Sequence, residues 1–313
     1  MTIQIRRVYP LIRLTTALAL MTLGCSAMWA GAIVLEPIAN EFNTGRGNSS
    51  LIYGTFMIGF ALGGVVMGRL ADRMGIMIPA LIGSLALPAG FYLAAHASSI
   101  LEISLAFSLL CGFLGSSFSM APLIADISHW FNRRRGLAVG IAFSGSYVAG
   151  AIWPPILQRM FDAQGWRESF IDLALLTLIL MALLSLMLYP RPPTTEQLPT
   201  AGSANSNLTK SSISAGTLQS LICLAGFGCC VAMAMPQIHI VPYVMDLGHP
   251  AIRGAEMLGL MLGFGVISRV SSGWLSDRIG GLQTLLLGST LQLIVLIAFF
   301  AGNSLIFLYG ISI

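Results

Sequence analysis

Nine apolar segments of membrane-spanning length run through this chain, and they constrain its fold more than any other feature. By residue number they are 13–35, 50–69, 76–95, 100–124, 136–157, 169–189, 216–240, 254–275 and 282–301, and a tenth begins near Leu305. About 20 apolar residues cross the hydrocarbon core of a bilayer as one helix. Charged residues make up only 9% of the chain, compared with roughly 25% in soluble domains. We therefore predict an all-α protein, a polytopic helical bundle embedded in a lipid bilayer.

A turn pattern, Gly-x-x-x-Asp-Arg-x-Gly, occurs after the second apolar segment and again after the eighth. Its residues are Gly68, Asp72, Arg73 and Gly75 in the first copy and Gly273, Asp277, Arg278 and Gly280 in the second. Each copy lies between two membrane-length segments, at the corresponding point of two successive units. Such placement indicates internal duplication, and duplicated helical bundles of this kind are mostly transporters.

The duplication and a change in composition after residue 190 predict the domain organisation. Residues 1–190 are expected to form an N-terminal six-helix bundle, and residues 216–313 an incomplete C-terminal bundle. Residues 191–215 are rich in Pro, Ser, Thr and Asn and have no apolar periodicity. That composition is typical of a flexible linker.

The distribution of basic residues predicts which side of the membrane each loop faces. If the N-terminus is cytoplasmic, eleven of the 16 Lys and Arg residues lie in inner segments and four in outer loops. Short loops rich in Lys and Arg stay on the cytoplasmic side. We expect an integral protein of the cytoplasmic (inner) membrane whose N-terminus and linker are both cytoplasmic.

Residues with catalytic or metal-binding chemistry are scattered along the chain. The five cysteines lie within apolar segments, and the four histidines lie at four separate loops or helix ends. The sequence contains no metal-ligand spacing, Ser-His-Asp set or phosphate-binding glycine loop. We therefore expect a protein that is not an enzyme, with no cofactor, no metal and no nucleic-acid partner.

Three blocks of sequence resemble a known family. The two Gly-x-x-x-Asp-Arg-x-Gly turns resemble the cytoplasmic signature of the major facilitator superfamily. The block 130–150, which begins Trp-Phe-Asn-Arg-Arg-Arg-Gly, is similar to the loop and fifth helix of monocarboxylate-porter-like and oxalate/formate-antiporter-like members. The block 239–248, which begins His-Ile-Val-Pro-Tyr, resembles the end of their seventh helix. Because that family has twelve helices, the resemblance implies a C-terminally truncated transporter with about nine to ten of them.

Arg269 is the one basic residue that the sequence places inside a span, where an ionisable side chain is costly. The resemblance implies that it is the helix-eight arginine of carboxylate porters and binds the substrate. A guanidinium fork suits the two oxygens of a carboxylate. The alternative is that Arg269, about two turns from the cytoplasmic turn, snorkels to water or phosphate. Animal-type porters carry an aspartate one turn earlier, at the position of Gly265.

The resemblance also implies roles for the turns and for three glycines of the fifth segment. Asp72 and Asp277 would act in a cytoplasmic latch that holds the two halves together, whereas plain capping of the following helix is the alternative. Gly140, Gly145 and Gly150 are interpreted as helix-packing positions, with a hinge as the alternative. Pro154 and Pro155 predict that the fifth helix ends nearby.

The leading hypothesis is a secondary active transporter of small organic anions such as monocarboxylates, working by alternating access. Two alternatives stay open, namely a truncated membrane protein that does not transport and a major-facilitator transporter of another small-molecule class. A coupling proton would need a protonatable group near the site. Glu36, Asp126 and His239 are the candidates, and each is interpreted as an interfacial residue. Symport with a proton, exchange with a counter-anion and uniport all stay open, as do the substrate and the oligomeric state.

Overall fold

The structure is a computed structural model that describes residues 3–131, 134–190, 214–299, 302 and 304–312. Within these ranges the chain is helical and contains no strand. The α-helices are Ile3–Gly24, Ser26–Ile33, Leu35–Glu41, Arg46–Met74, Met77–His96, Ile100–Leu105, Ala121–Trp130, Arg135–Gln164, Trp166–Leu186, Ala215–Asp246, Ala251–Ile279, Gly281–Ala298 and Leu305–Ile311. A π-helical stretch, Ala106–Ser116, and a 3-10 turn, Ser117–Ser119, continue the helix that begins at Ile100.

Among the described residues, nine helical stretches are long and apolar enough to cross a membrane. Called spans one to nine here, they are Tyr9–Ile33, Gly47–Met74, Met77–His96, Ile100–Trp130, Arg135–Gln164, Trp166–Leu186, Gly216–Gln237, Ile252–Ile279 and Gly281–Ala298. The prediction of an all-α polytopic membrane bundle is therefore confirmed. Span five does not end near its two prolines but continues through them to Gln164, so that detail of the prediction is wrong. Proline is tolerated in membrane helices where neighbouring groups satisfy the freed backbone.

The chain divides into two compact units. The first is Met1–Pro192 together with Gly265–Arg278, and the second is Pro193–Phe264 together with Ile279–Ile313. The part of span eight from Gly265 to Arg278, which carries Arg269 and Asp277, thus belongs to the first unit. The predicted division at residues 190 and 215 stays a prediction, because most of the linker lies outside the described residues.

The core of the first unit contains an aromatic cluster contributed by spans two, three, four and six. Phe56, Phe91, Phe107 and Phe170 are fully buried. The ring centroid of Phe107 lies 6.2 Å from that of Phe91 and 5.8 Å from that of Phe170. Since lipid tails are as apolar as these side chains, close packing rather than water exclusion holds such helices together.

The second unit has a small buried cluster at one end. It consists of Ile240, Val244, Met257 and Leu308, which lie on the helices Ala215–Asp246, Ala251–Ile279 and Leu305–Ile311. Along Gly281–Ala298, by contrast, no side chain is buried. An apolar helix surface of this kind suits contact with lipid or with other apolar helices.

Candidate functional site

Spans five and eight approach each other closely within the first unit, and glycines make the approach possible. A Cβ atom added to Gly140 would lie 2.5 Å from the carbonyl oxygen of Arg269. One added to Gly273 would overlap the carbonyl oxygen of Gly136, and one added to Gly136 would overlap that of Gly273. The two backbones therefore touch at the point where the second turn copy begins.

The Arg269 side chain lies against an aromatic face of span five. Its Cζ atom is 4.7 Å from the ring centroid of Phe143 and 5.2 Å from that of Tyr147. Its Nη2 atom donates a hydrogen bond to the Tyr147 hydroxyl at 3.2 Å. Arg269 is half-buried, and aromatic faces stabilise a cation in such a place through their ring quadrupoles.

Asp277 caps the N-terminus of span five. The backbone N–H of Gly136 donates to its Oδ1 at 2.6 Å, and that of Leu137 donates to its Oδ2 at 2.9 Å. The first N–H groups of a helix lack partners within the helix, and the positive end of the helix dipole favours a carboxylate there. The alternative interpretation was that Asp277 caps the helix that follows it. Asp277 instead lies in the last turn of its own helix, Ala251–Ile279, and caps span five.

The first turn copy lacks an equivalent contact among the described residues. Asp72 and Arg73 lie exposed in the last turn of span two, and their side chains make no hydrogen bond or ion pair within the described ranges. A Cβ added to Gly68 would meet nothing within 4 Å.

The final glycines of the two turn copies share a role. Gly75 ends its helix with a φ of 87° and Gly280 with a φ of 91°, a conformation that glycine adopts without strain. In the second copy, Arg278 stacks its Cζ atom 4.0 Å from the Trp274 ring.

The three glycines of span five face two different neighbours. Gly140 faces span eight, as described above. A Cβ added to Gly145 would lie 2.7 Å from the carbonyl oxygen of Leu18, and one added to Gly150 would lie 2.6 Å from the Trp29 ring. Span five is therefore in close contact with span eight near its start and with span one along its middle.

A buried ion pair joins spans one and four, and the sequence analysis missed it. Arg13 Nε lies 2.7 Å from Oδ2 of Asp126, and its Nη2 lies 2.8 Å from Oδ1. The two side chains are only 1% and 7% exposed. Arg13 Nη1 also donates to the Tyr9 hydroxyl and to the carbonyl oxygen of Pro190, both at 2.9 Å. The guanidinium lies 4.7 Å from the Trp130 ring.

The sequence analysis interpreted Asp126 as an interfacial residue and gave Arg13 no partner. The structure adds that the two side chains are buried against each other. Span one, Tyr9–Ile33, contains Arg13, so Arg269 is not the sole basic residue inside a span. The only sequence signal was that each is a lone charge flanked by apolar residues. Of the other proposed coupling residues, Glu36 and His239 are exposed.

The described residues contain no cluster of three His, Cys, Asp or Glu side chains that could hold a metal ion. What the described part of the chain does contain is nine helices of membrane-spanning length, a glycine turn that occurs twice, and an arginine of span eight held against span five. Together they define a polytopic helical membrane protein of the duplicated-bundle class. The chain matches the Major Facilitator Superfamily over residues 16–313 and belongs to that family.

Three relatives show where in the family the similarity lies. Human monocarboxylate transporter 11 is 30% identical over 217 residues, which are 68% of this chain and 45% of that protein. Monocarboxylate transporter 13 of Bos taurus is 27% identical over 236 residues, or 75% of this chain and 54% of that protein. The MFS-type transporter pytF of Aspergillus terreus is 28% identical over 222 residues, or 70% and 72% of the two chains. The chain thus spans about half the length of the monocarboxylate transporters that it matches.

Proposed function

We propose that the protein is a secondary transporter of small organic anions, with monocarboxylates as the substrate class. The observation that carries the proposal is Arg269, whose guanidinium is held against aromatic rings between two spans. The names of the human and bovine relatives support the same substrate class. The substrate and the lipid bilayer are the partners that this function requires.

The chemistry of Arg269 suits a carboxylate. An arginine within a membrane span is costly, and such residues mostly face a substrate pathway. The planar guanidinium can donate two parallel N–H bonds to the two oxygens of one carboxylate. A lysine at the same place would keep the charge but lose this paired geometry.

The Asp277 cap supports alternating access as the mechanism. The cap ties the end of span eight to the start of span five through two N–H bonds from Gly136 and Leu137. If this end of the bundle faces the cytoplasm, inward opening would break the cap and outward opening would keep it. Asp72, Arg73 and Arg278 would act in the same cytoplasmic latch. The N-terminus and the linker would then be cytoplasmic in the inner membrane.

Uptake of radiolabelled monocarboxylates by cells that lack their own carriers tests this function. The wild-type protein should give saturable uptake, and Arg269→Lys should reduce it at least tenfold at an unchanged amount of protein in the membrane. Arg159→Lys is the matched control. Arg159 is exposed and lies near the end of span five, away from the positions 136–147 that contact span eight. Equal uptake by the wild-type and Arg269→Lys proteins would rule out the substrate-binding role. Varying the external pH and preloading the cells with unlabelled anion would separate proton symport from exchange.

A further inference from the structure

The ring of Tyr147 lies beside Gly265, one helical turn before Arg269. A Cβ added to Gly265 would overlap the Cδ1 and Cε1 atoms of that ring. Position 265 therefore has no room for any side chain while Tyr147 keeps its present place. This absence of a side chain allows Tyr147 to reach the guanidinium.

The contacts follow a regular antiparallel register along spans five and eight. Gly136 meets Gly273, Gly140 meets the backbone of Arg269, and Tyr147 meets Gly265, so numbers rise on one span as they fall on the other. From position 136 to position 147 the contact extends about 16 Å along span five, at 1.5 Å per residue. Tyr147 is thus placed by the helix crossing itself and not by a mobile loop.

Tyr147 contacts Arg269 in two ways. Its ring covers the guanidinium from 5.2 Å, and its hydroxyl accepts the Nη2 hydrogen bond. Phe143, one turn earlier on the same face of span five, covers the guanidinium without a polar group. The N–H donors of a guanidinium lie in its plane, so rings over its face hold the group without taking up those donors. Of the two aromatic residues, only Tyr147 can also fix the rotation of the guanidinium plane.

We propose that Tyr147 is a positioning residue, which sets the orientation of the Arg269 fork for a carboxylate and requires glycine at position 265. The inference rests on the proposed function, because it assigns Tyr147 a part in binding the same substrate. Substrate affinity should then depend on the Tyr147 hydroxyl and on the lack of a side chain at position 265.

Transport kinetics of Tyr147→Phe are the first test. This variant keeps the ring and removes the hydroxyl. A hydrogen bond to a charged group contributes enough free energy that its loss should raise KM for a monocarboxylate about tenfold, with Vmax changed less than twofold. A purely structural role would instead lower Vmax and the amount of folded protein, with KM unchanged. Tyr92→Phe, an exposed tyrosine on span three, is the matched control and should change neither value.

A double-mutant cycle tests the requirement for glycine. Gly265→Ala should raise KM in the wild-type background by displacing the Tyr147 ring. It should raise KM no further in a Tyr147→Ala background, where the place of the ring is empty. An equal rise in KM from Gly265→Ala in both backgrounds would overturn the proposal for Tyr147. An unchanged KM for Tyr147→Phe would also overturn it.

The two proposals fail in different ways. Saturable uptake that requires Arg269 but is insensitive to Tyr147→Phe would leave the proposed function standing and refute the positioning role. A wild-type protein without saturable carboxylate uptake would refute the proposed function, and the positioning role with it.

Discussion

Removing one partner of the buried ion pair between Arg13 and Asp126 should strongly destabilise the first unit. We consider Asp126→Asn, which keeps the size of the side chain and removes its charge. The Arg13 guanidinium, only 1% exposed, would then be a buried charge with no counter-charge at its former 2.7 Å contact. Removing one member of such a pair costs about 3–5 kcal/mol, because the remaining charge stays buried.

The lower end of that range applies here. Arg13 would keep its hydrogen bonds to Tyr9 and Pro190 and its contact with the Trp130 ring. We therefore expect a loss of about 3 kcal/mol. For a unit of this size, roughly 2–4 °C per kcal/mol, that loss lowers Tm by about 6–12 °C. Thermal unfolding of the purified protein in detergent, followed by tryptophan fluorescence, measures this shift.

A compensating pair of changes separates the ion pair from the rest of the environment. Arg13→Met combined with Asp126→Leu replaces both charges by apolar side chains, which in buried sites is often neutral or stabilising. The double variant should unfold near the wild-type temperature, although each single change lowers it. Glu41→Gln is the control, because Glu41 and Arg167 form an ion pair that is far more accessible to solvent. Their side chains are 41% and 34% exposed. An exposed pair contributes only about 0–1 kcal/mol. Single changes at Arg13 and Asp126 that cost less than 1 kcal/mol and simply add in the double variant would refute the reasoning.

Three further expectations concern packing, the proposed latch and topology. Gly273→Ala should sharply reduce the amount of folded protein, because its Cβ would overlap the carbonyl oxygen of Gly136. Gly259→Ala should not, because its Cβ would meet nothing within 4 Å. Size-exclusion profiles of the two variants measure this difference. Asp277→Asn should lower the uptake rate at least fivefold at normal membrane levels, since the carboxylate charge at the start of span five is lost, and unchanged uptake would speak against the latch. In a cysteine-free background, Asn205→Cys should react with an impermeant thiol reagent only in opened vesicles, and labelling of intact cells would contradict a cytoplasmic linker.

The helices could be predicted because their signal is local. A run of about 20 apolar residues requires a helix in lipid wherever its partners lie. The glycines at positions 75 and 280 were also predictable as turn residues, and both have positive φ. Span ends were less accurate, as for span five, because tertiary neighbours decide whether a proline ends a helix.

The contacts of the site were beyond a single sequence. Asp277 is 141 positions from Gly136, and Arg13 is 113 positions from Asp126, so no local pattern joins either pair. The prominence of Arg269 could be predicted from its charge within an apolar segment. Its aromatic contacts could not, because Tyr147 looks like an ordinary apolar residue of span five until span eight is placed against it.

Uptake into proteoliposomes containing only the purified protein is the most direct measurement of the proposed function. We expect saturable uptake of a radiolabelled monocarboxylate that unlabelled monocarboxylates inhibit and the corresponding neutral amides do not. Arg269→Ala should abolish this uptake, and Arg159→Ala should leave it unchanged. Uptake that does not saturate, or that is the same with and without the Arg269 guanidinium, would contradict carboxylate transport through this site.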